Sequence, residues 1–182
     1  MLAGQRRVPS GIMIKIDLSP LVHAKNGARQ VVDLNLDAIT IEQLELNYLQ
    51  GRLRFTRTDT GILVEGILDT EIATECTRCL TSFYEPVTFE PDNVISFPGA
   101  PLTLERPVRV TDNGWADISP VIREYIWMAF PSNPICSPRC QGICAKCGGN
   151  INLGECTCEG TEPIDPRWEV LRTLLDEPGE ST

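Results

Sequence analysis

Apolar and polar residues alternate with a period of two through the middle of the chain. In GRLRFTRT, Leu53 and Phe55 fall on one face while Arg52, Arg54 and Thr56 fall on the other, the pattern of a half-buried strand. Thr58-Asp59-Thr60-Gly61 supplies a turn, and ILVEGILDTEIATECT returns as a long partner strand that runs straight to Cys76. Further strands are predicted at IMIKID, at FYEPVTFE, and in a hairpin joining VRV to WADI. Asp112-Asn113-Gly114 gives that hairpin the positive-φ residues a tight turn needs. Residues 91–107, rich in proline, read as an irregular crossing. The period then changes. Ser119-Pro120 offers an N-cap and a first-turn proline, and VIREYIWMAF carries a helix to Pro131. Its apolar residues run nearly all round, which predicts deep burial. Asp165-Pro166 repeats the start signal before RWEVLRTLLDE, where Val170, Leu171, Leu174 and Leu175 form one apolar stripe.

The fold class expected is α+β: a mainly antiparallel sheet body, barrel-like or sandwich-like, with a cysteine-rich zinc-binding segment and a terminal helix. The division expected is an extension over 1–12, a sheet body with one packed helix over 13–131, and a cysteine-rich segment over 132–160. A helix over 161–176 and a disordered acidic tail over 177–182 complete it.

Cysteine carries the chemistry. Six of the eight cysteines lie in PICSPRCQGICAKCGGNINLGECTCEG, and the other two form a pair in ECTRCL. Cys144, Cys147, Cys156 and Cys158 make a C-x2-C-G-G and C-x-C set. Zinc takes four soft ligands in a tetrahedron, and a short C-x2-C loop brings two thiolates to one ion. Gly148 and Gly149 let the backbone turn so that its N–H groups face the sulfurs. The remaining Cys76, Cys79, Cys136 and Cys140 are a possible second site, which would tie the cysteine-rich segment to the sheet. One or two structural zinc ions are implied. Two other readings of these thiols stand: an iron–sulfur cluster, and a redox pair at Cys76 and Cys79. TRCLTSFYEP follows a hairpin and starts no convincing helix, so the redox setting of a helix N-terminus in a βαβ unit is missing.

A disulfide scaffold would require an oxidising compartment. The first residues contain no continuous apolar signal core, and no stretch approaches the ~18 apolar residues of a membrane span. The reading is therefore a cytoplasmic protein with reduced thiols, touching no membrane.

Charge narrows the partner. The chain carries a formal net charge of −9, and residues 61–135 alone hold four basic and eleven acidic groups, a net of −7. Such a surface repels phosphate. The arginines of the first third, Arg29, Arg52, Arg54 and Arg57, are the candidates for any RNA contact, and a solvated strand face is the simpler account of them. Catalysis finds no support. The single histidine, His23, has no partner motif, and no phosphate-cradling glycine loop, nucleophile elbow or H-E-x-x-H is present. A site closed by four cysteines leaves no position for substrate.

The ordered elements MIKIDLSPL, ECTRCL, DNGWADISPVIREYIWMAFP, PICSPRCQGICAKCGGNINLGECTC and IDPRWEVLRTLL together resemble the YceD family of large ribosomal RNA subunit accumulation proteins. The resemblance implies a non-catalytic factor for 23S ribosomal RNA accumulation and large-subunit assembly. It carries over Cys76, Cys79 and the six cysteines from Cys136 to Cys158. The partners implied are a ribosomal protein or a pre-ribosomal large-subunit particle, with no small-molecule substrate. Other readings are a thiol–disulfide or redox-sensing protein using Cys76 and Cys79, and a generic zinc-ribbon nucleic-acid binder.

Overall fold

A computed structural model describes residues 13–158 and Arg167. In chain order the elements are β1 (Lys15–Asp17), α1 (Ser19–Val22), β2 (Arg29–Leu36), β3 (Ile39–Ile41), β4 (Leu44–Arg57) and β5 (Ile62–Glu75). They continue with β6 (Ser82–Phe89), β7 (Asp92–Ile95), β8 (Trp115–Asp117), α2 (Ser119–Ala129) and a short 3-10 turn at Ile151–Leu153. The chain divides into two compact units, Met1–Cys140 and Gln141–Thr182. Cys136 and Cys140 therefore fold with the sheet. The helix over 161–176 and the extension over 1–12 lie outside the described residues, Arg167 apart.

The fold is mainly antiparallel sheet with few helices. Neither sheet closes, so the strands do not establish the barrel-like or sandwich-like form anticipated above. β2, β4, β5 and β6 run side by side in a six-stranded open sheet, with β3 on β4 and β7 on β5, while β1 and β8 pair separately. The β4–β5 hairpin is its spine, in register from Leu46 opposite Ile72 to Arg57 opposite Ile62, with one irregularity between Leu46 and Leu49. Its turn closes as the pattern predicts, Thr58 N–H donating to the Gly61 carbonyl at 2.9 Å. Where the two strands press together, a Cβ at Gly51 would lie 2.2 Å from the Ile67 carbonyl oxygen, and Gly51 has φ +141°. Only glycine fits there.

Leu53, Phe55, Val64 and Leu68 project from this hairpin onto one face, at 0–1% exposure. Val121, Ile122 and Ile126 of α2 belong to the same buried cluster, with Ile95 of β7 and Phe89 of β6. The opposite face stays wet, with Arg52 paired to Asp33 at 2.6 Å and Arg54 to Glu65 at 3.1 Å.

Four local expectations are corrected. VRV and WADI do not pair. The Thr111–Gly114 turn forms, with Gly114 at φ +82°, but β8 pairs with β1 through Ile16 opposite Ala116. Arg109 instead bridges to Ser96, through Ser96 N–H to the Val108 carbonyl and Val110 N–H to the Ser96 carbonyl. The segment read as an irregular crossing contributes β7, whose Ile95 is buried opposite Ile62. Ser119 is the first residue of α2 rather than its cap; Ile118 takes the cap position, and Ser119 donates from its hydroxyl to Asp117 Oδ1 at 2.7 Å. Finally, α2 is not buried all round. Trp127 and Met128 are exposed, because the sheet covers only one side of the helix.

Candidate metal centres

Each of the two sets drawn from cysteine spacing is brought together. The sulfurs of Cys76, Cys79, Cys136 and Cys140 all lie within 4.8 Å of one another, and so do those of Cys144, Cys147, Cys156 and Cys158. All eight cysteines are free thiols. In the first set Cys79 Sγ and Cys136 Sγ are 3.5 Å apart, and Cys76 Sγ and Cys140 Sγ 3.8 Å. Four sulfurs placed ~2.3 Å from one zinc ion would stand about 3.8 Å apart. Donor chemistry and spacing both fit a tetrahedral thiophilic ion.

The two C-x2-C turns share one backbone. Leu80 N–H donates to the Cys76 carbonyl at 2.9 Å, as Gly148 N–H does to Cys144 at 2.9 Å. Cys76 N–H then donates to Thr81 at 2.9 Å, as Cys144 N–H does to Gly149 at 2.8 Å. This turn needs a left-handed residue after the second cysteine. Gly148 supplies it at φ +72°, whereas the other turn places Leu80 at φ +59°. That strained leucine was not anticipated from the sequence; the signal for it was the glycine at the corresponding position of the second C-x2-C.

Different elements position the two sets. Cys76 and Cys79 sit in the turn between β5 and β6, and Cys136 and Cys140 arrive on the segment that leaves α2. Thr77 clasps that segment by donating from N–H and hydroxyl to the Pro134 carbonyl at 3.0 and 3.1 Å. Arg78 donates to the Cys140 carbonyl at 3.1 Å. Phe83 and Ile135 pack against Cys76, Cys79 and Cys140, all three buried. The other set lies in a polar loop. Asn150 accepts from Asn152 N–H at 3.0 Å, and Glu155 Oε2 accepts from Asn150 N–H at 3.0 Å. Gly142 and Asn150 are the only buried residues between 141 and 158.

Both sets polarise their thiols. Burial opposes ionisation of Cys76, but backbone N–H groups of Cys136, Cys79 and Arg78 outweigh it and hold the thiol down at about 6. Cys144 is also held at about 6, by the N–H groups of Cys147 and Lys146, the latter 3.4 Å from its sulfur. Beside Cys79, Cys136 is pushed up to about 12; beside Cys147, Cys158 is pushed up to about 12. Backbone N–H groups aimed at a sulfur stabilise negative charge there, as around metal-bound thiolate.

The arginines considered for RNA contact are largely engaged. Arg52 and Arg54 form the ion pairs described above, and Arg57 turns inward, donating to the Val22 carbonyl at 2.6 Å and stacking over Phe97 at 4.1 Å. His23 is exposed at the end of α1. No helix among the described residues is long and apolar enough to cross a membrane.

Comparison with known proteins places this geometry in a family. The family model described as large ribosomal RNA subunit accumulation protein YceD matches residues 64–175, a span that contains all eight cysteines and begins after MIKIDLSPL. An uncharacterized protein of Mycobacterium tuberculosis (strain H37Rv) is 31% identical over 146 residues, covering 78% of this chain and 68% of the relative. A Mycobacterium leprae protein is 28% identical over 129 residues, 68% of this chain and 57% of the relative. The chloroplastic large ribosomal RNA subunit accumulation protein YCED homolog 1 of Arabidopsis thaliana is 36% identical over 61 residues, 34% of this chain and 19% of that protein. No solved structure matches. The chain belongs to the YceD family.

Proposed function

We propose that this chain is a non-catalytic factor for 23S ribosomal RNA accumulation and assembly of the large ribosomal subunit, acting by binding in the cytoplasm. The observation that carries the reading is the family match across all eight cysteines, together with their grouping into two four-thiol sets. One zinc ion in each set would be held by Cys76, Cys79, Cys136 and Cys140, and by Cys144, Cys147, Cys156 and Cys158. Bound zinc would offset half the charge of the four thiolates and crosslink the chain, and four cysteines leave no open position for substrate. Burial of Cys76 and Cys79 weighs against thiol–disulfide exchange, which needs an accessible thiolate. Engagement of Arg52, Arg54 and Arg57, with the −7 balance of residues 61–135, favours a basic ribosomal protein over bare RNA as the direct contact.

Deleting the gene in its native host is expected to lower 23S relative to 16S ribosomal RNA, restored by the intact chain. An unchanged ratio would remove the assembly role. Tagged protein recovered with and without nuclease separates contacts: a ribosomal protein retained after nuclease supports direct protein contact, and loss of every partner counts against it.

A further inference from the structure

The face of α2 turned away from the sheet borders a groove of about 570 Å³. Its lining includes Leu44, Pro107, Pro120 and Trp127 with the carboxylates Glu42 and Glu124. Trp127 and Met128 are 56% and 65% exposed at the helix's last turn. Trp127 is nevertheless held in place: its ring meets Phe130 edge-on, centroids 6.1 Å apart and planes at 77°. Phe130 in turn packs against the core. A large aromatic that is exposed and already ordered loses little conformational freedom on binding, the property of an interface anchor.

Charge selects the occupant. Arg123 is matched by its ion pair with Glu42, whereas Glu124 has no ion-pair partner among the described residues. A second groove of about 520 Å³ shares Pro107 and Pro120 and adds Asp112, Asp117 and Arg109. The two together present four carboxylates and two guanidinium groups, all but Glu42 within a stretch whose net charge is strongly negative. Phosphate is repelled from such a surface, and so is a second copy of this chain, with its own net charge of −9.

We infer that this groove docks a basic segment of a protein partner, whose apolar side chains cover Trp127 and Met128 while its lysines or arginines meet Glu124 and the acidic rim. The inference rests on the binding role proposed above and gives it a surface. Most of the affinity would come from the apolar anchors, and the carboxylates would select the partner and speed its arrival.

The test uses the full metal-loaded chain and a fluorescent synthetic helical peptide with leucines on one face and lysines on the other. The wild type is expected to bind it, and Trp127→Ala and Glu124→Lys each to weaken binding about tenfold or more. Glu75→Lys, a charge reversal outside the lining of both grooves, is expected to change it less than about twofold once metal content is confirmed. Met128→Glu provides a second break at an exposed position, and metal content with melting temperature confirms that each variant is folded. Binding insensitive to Trp127→Ala and Met128→Glu, or equally damaged by Glu75→Lys, would overturn the groove. So would equal binding of a peptide with glutamate in place of lysine. A single-stranded RNA bound in a Trp127-dependent manner, or a dimer of the chain abolished by Met128→Glu, would also overturn it. No ribosome enters this assay, so the two ideas fail separately. Peptide binding as expected with an unchanged 23S to 16S ratio removes the assembly role alone; a lowered ratio with no groove-dependent binding removes the groove alone.

Discussion

The two cysteine clusters share one turn geometry but rest on opposite kinds of support. Cys76, Cys79 and Cys140 are buried beside Phe83 and Ile135, in a unit whose sheet already carries a large apolar core. Cys144, Cys147, Cys156 and Cys158 occupy a polar loop, where Ile143, Ile151 and Leu153 are all exposed. In the first, an ion would lock together elements that packing has already assembled. In the second it would replace a core, much as in small metal-dependent domains. A shared ligand set therefore does not imply a shared dependence on metal.

Removing metal breaks the comparison most forcefully. With about 10–16 kcal/mol of binding free energy coupled to folding in small zinc peptides, the loop has nothing comparable to fall back on. After chelation, residues 141–158 are expected to lose all slow amide exchange, while β4 and β5 keep theirs. Segment 134–140 should loosen without melting the sheet. Hydrogen exchange with mass spectrometry reads this, and equal loss of protection in β4 and in the loop would show that the sheet depends on metal as well.

A smaller effect sharpens the contrast between the two turns. A non-glycine residue in the left-handed region costs about 1–2 kcal/mol. Gly148→Ala should weaken metal retention by the loop by about that amount, seen in competition with a chromophoric chelator. Leu80→Gly releases the strain but adds unfolded-state freedom worth about 0.5–1 kcal/mol, so the sheet unit should gain about 1 kcal/mol or less in denaturant unfolding. A loss of stability at Leu80→Gly would mean that the leucine side chain contributes more than its backbone costs.

An effect with no cost in stability concerns reactivity. The thiolate is the nucleophile, so wherever the metal-free loop keeps its turn iodoacetamide at pH 7 should modify Cys144 before Cys158, whereas the unravelled loop expected after full chelation should label both alike. Cys144 is held at about 6, below the ordinary thiol range, so its reactivity persists on acidification and falls only as pH drops through about 6. Cys158, pushed up to about 12, stays protonated and slow throughout that range. Peptide mapping after timed alkylation checks the order, and faster labelling of Cys158 would contradict it.

The sequence was most legible where the signal is local. Thiol spacing identified the set of Cys144, Cys147, Cys156 and Cys158, and alternation identified β4, β5 and β6, because each pattern is local; Cys76, Cys79, Cys136 and Cys140 were grouped only as the remaining thiols. β2 escaped because Val31 and Val32 are adjacent and face opposite sides of the sheet, which blurs the period. The partner of β8 escaped because Ile16 and Ala116 are a hundred residues apart, and no local pattern reports such a pairing. For α2 the failure was one of information. A helix apolar on every side does not reveal which side its own chain will cover, and Trp127 and Met128 were left uncovered.

The separation of the paired thiols has a consequence during synthesis. Cys79 and Cys136 are 57 positions apart, and Cys76 and Cys140 are 64, whereas Cys144 and Cys158 belong to one short loop. At translation rates of about 5–20 residues per second, the first pair waits roughly 3–13 s for its partners to be made. The β5–β6 turn must spend that interval as an open dithiol, while the later loop can load as soon as it leaves the ribosome. An ion at that site would therefore join the sheet only after residue 140, which follows α2 in the chain, has been made.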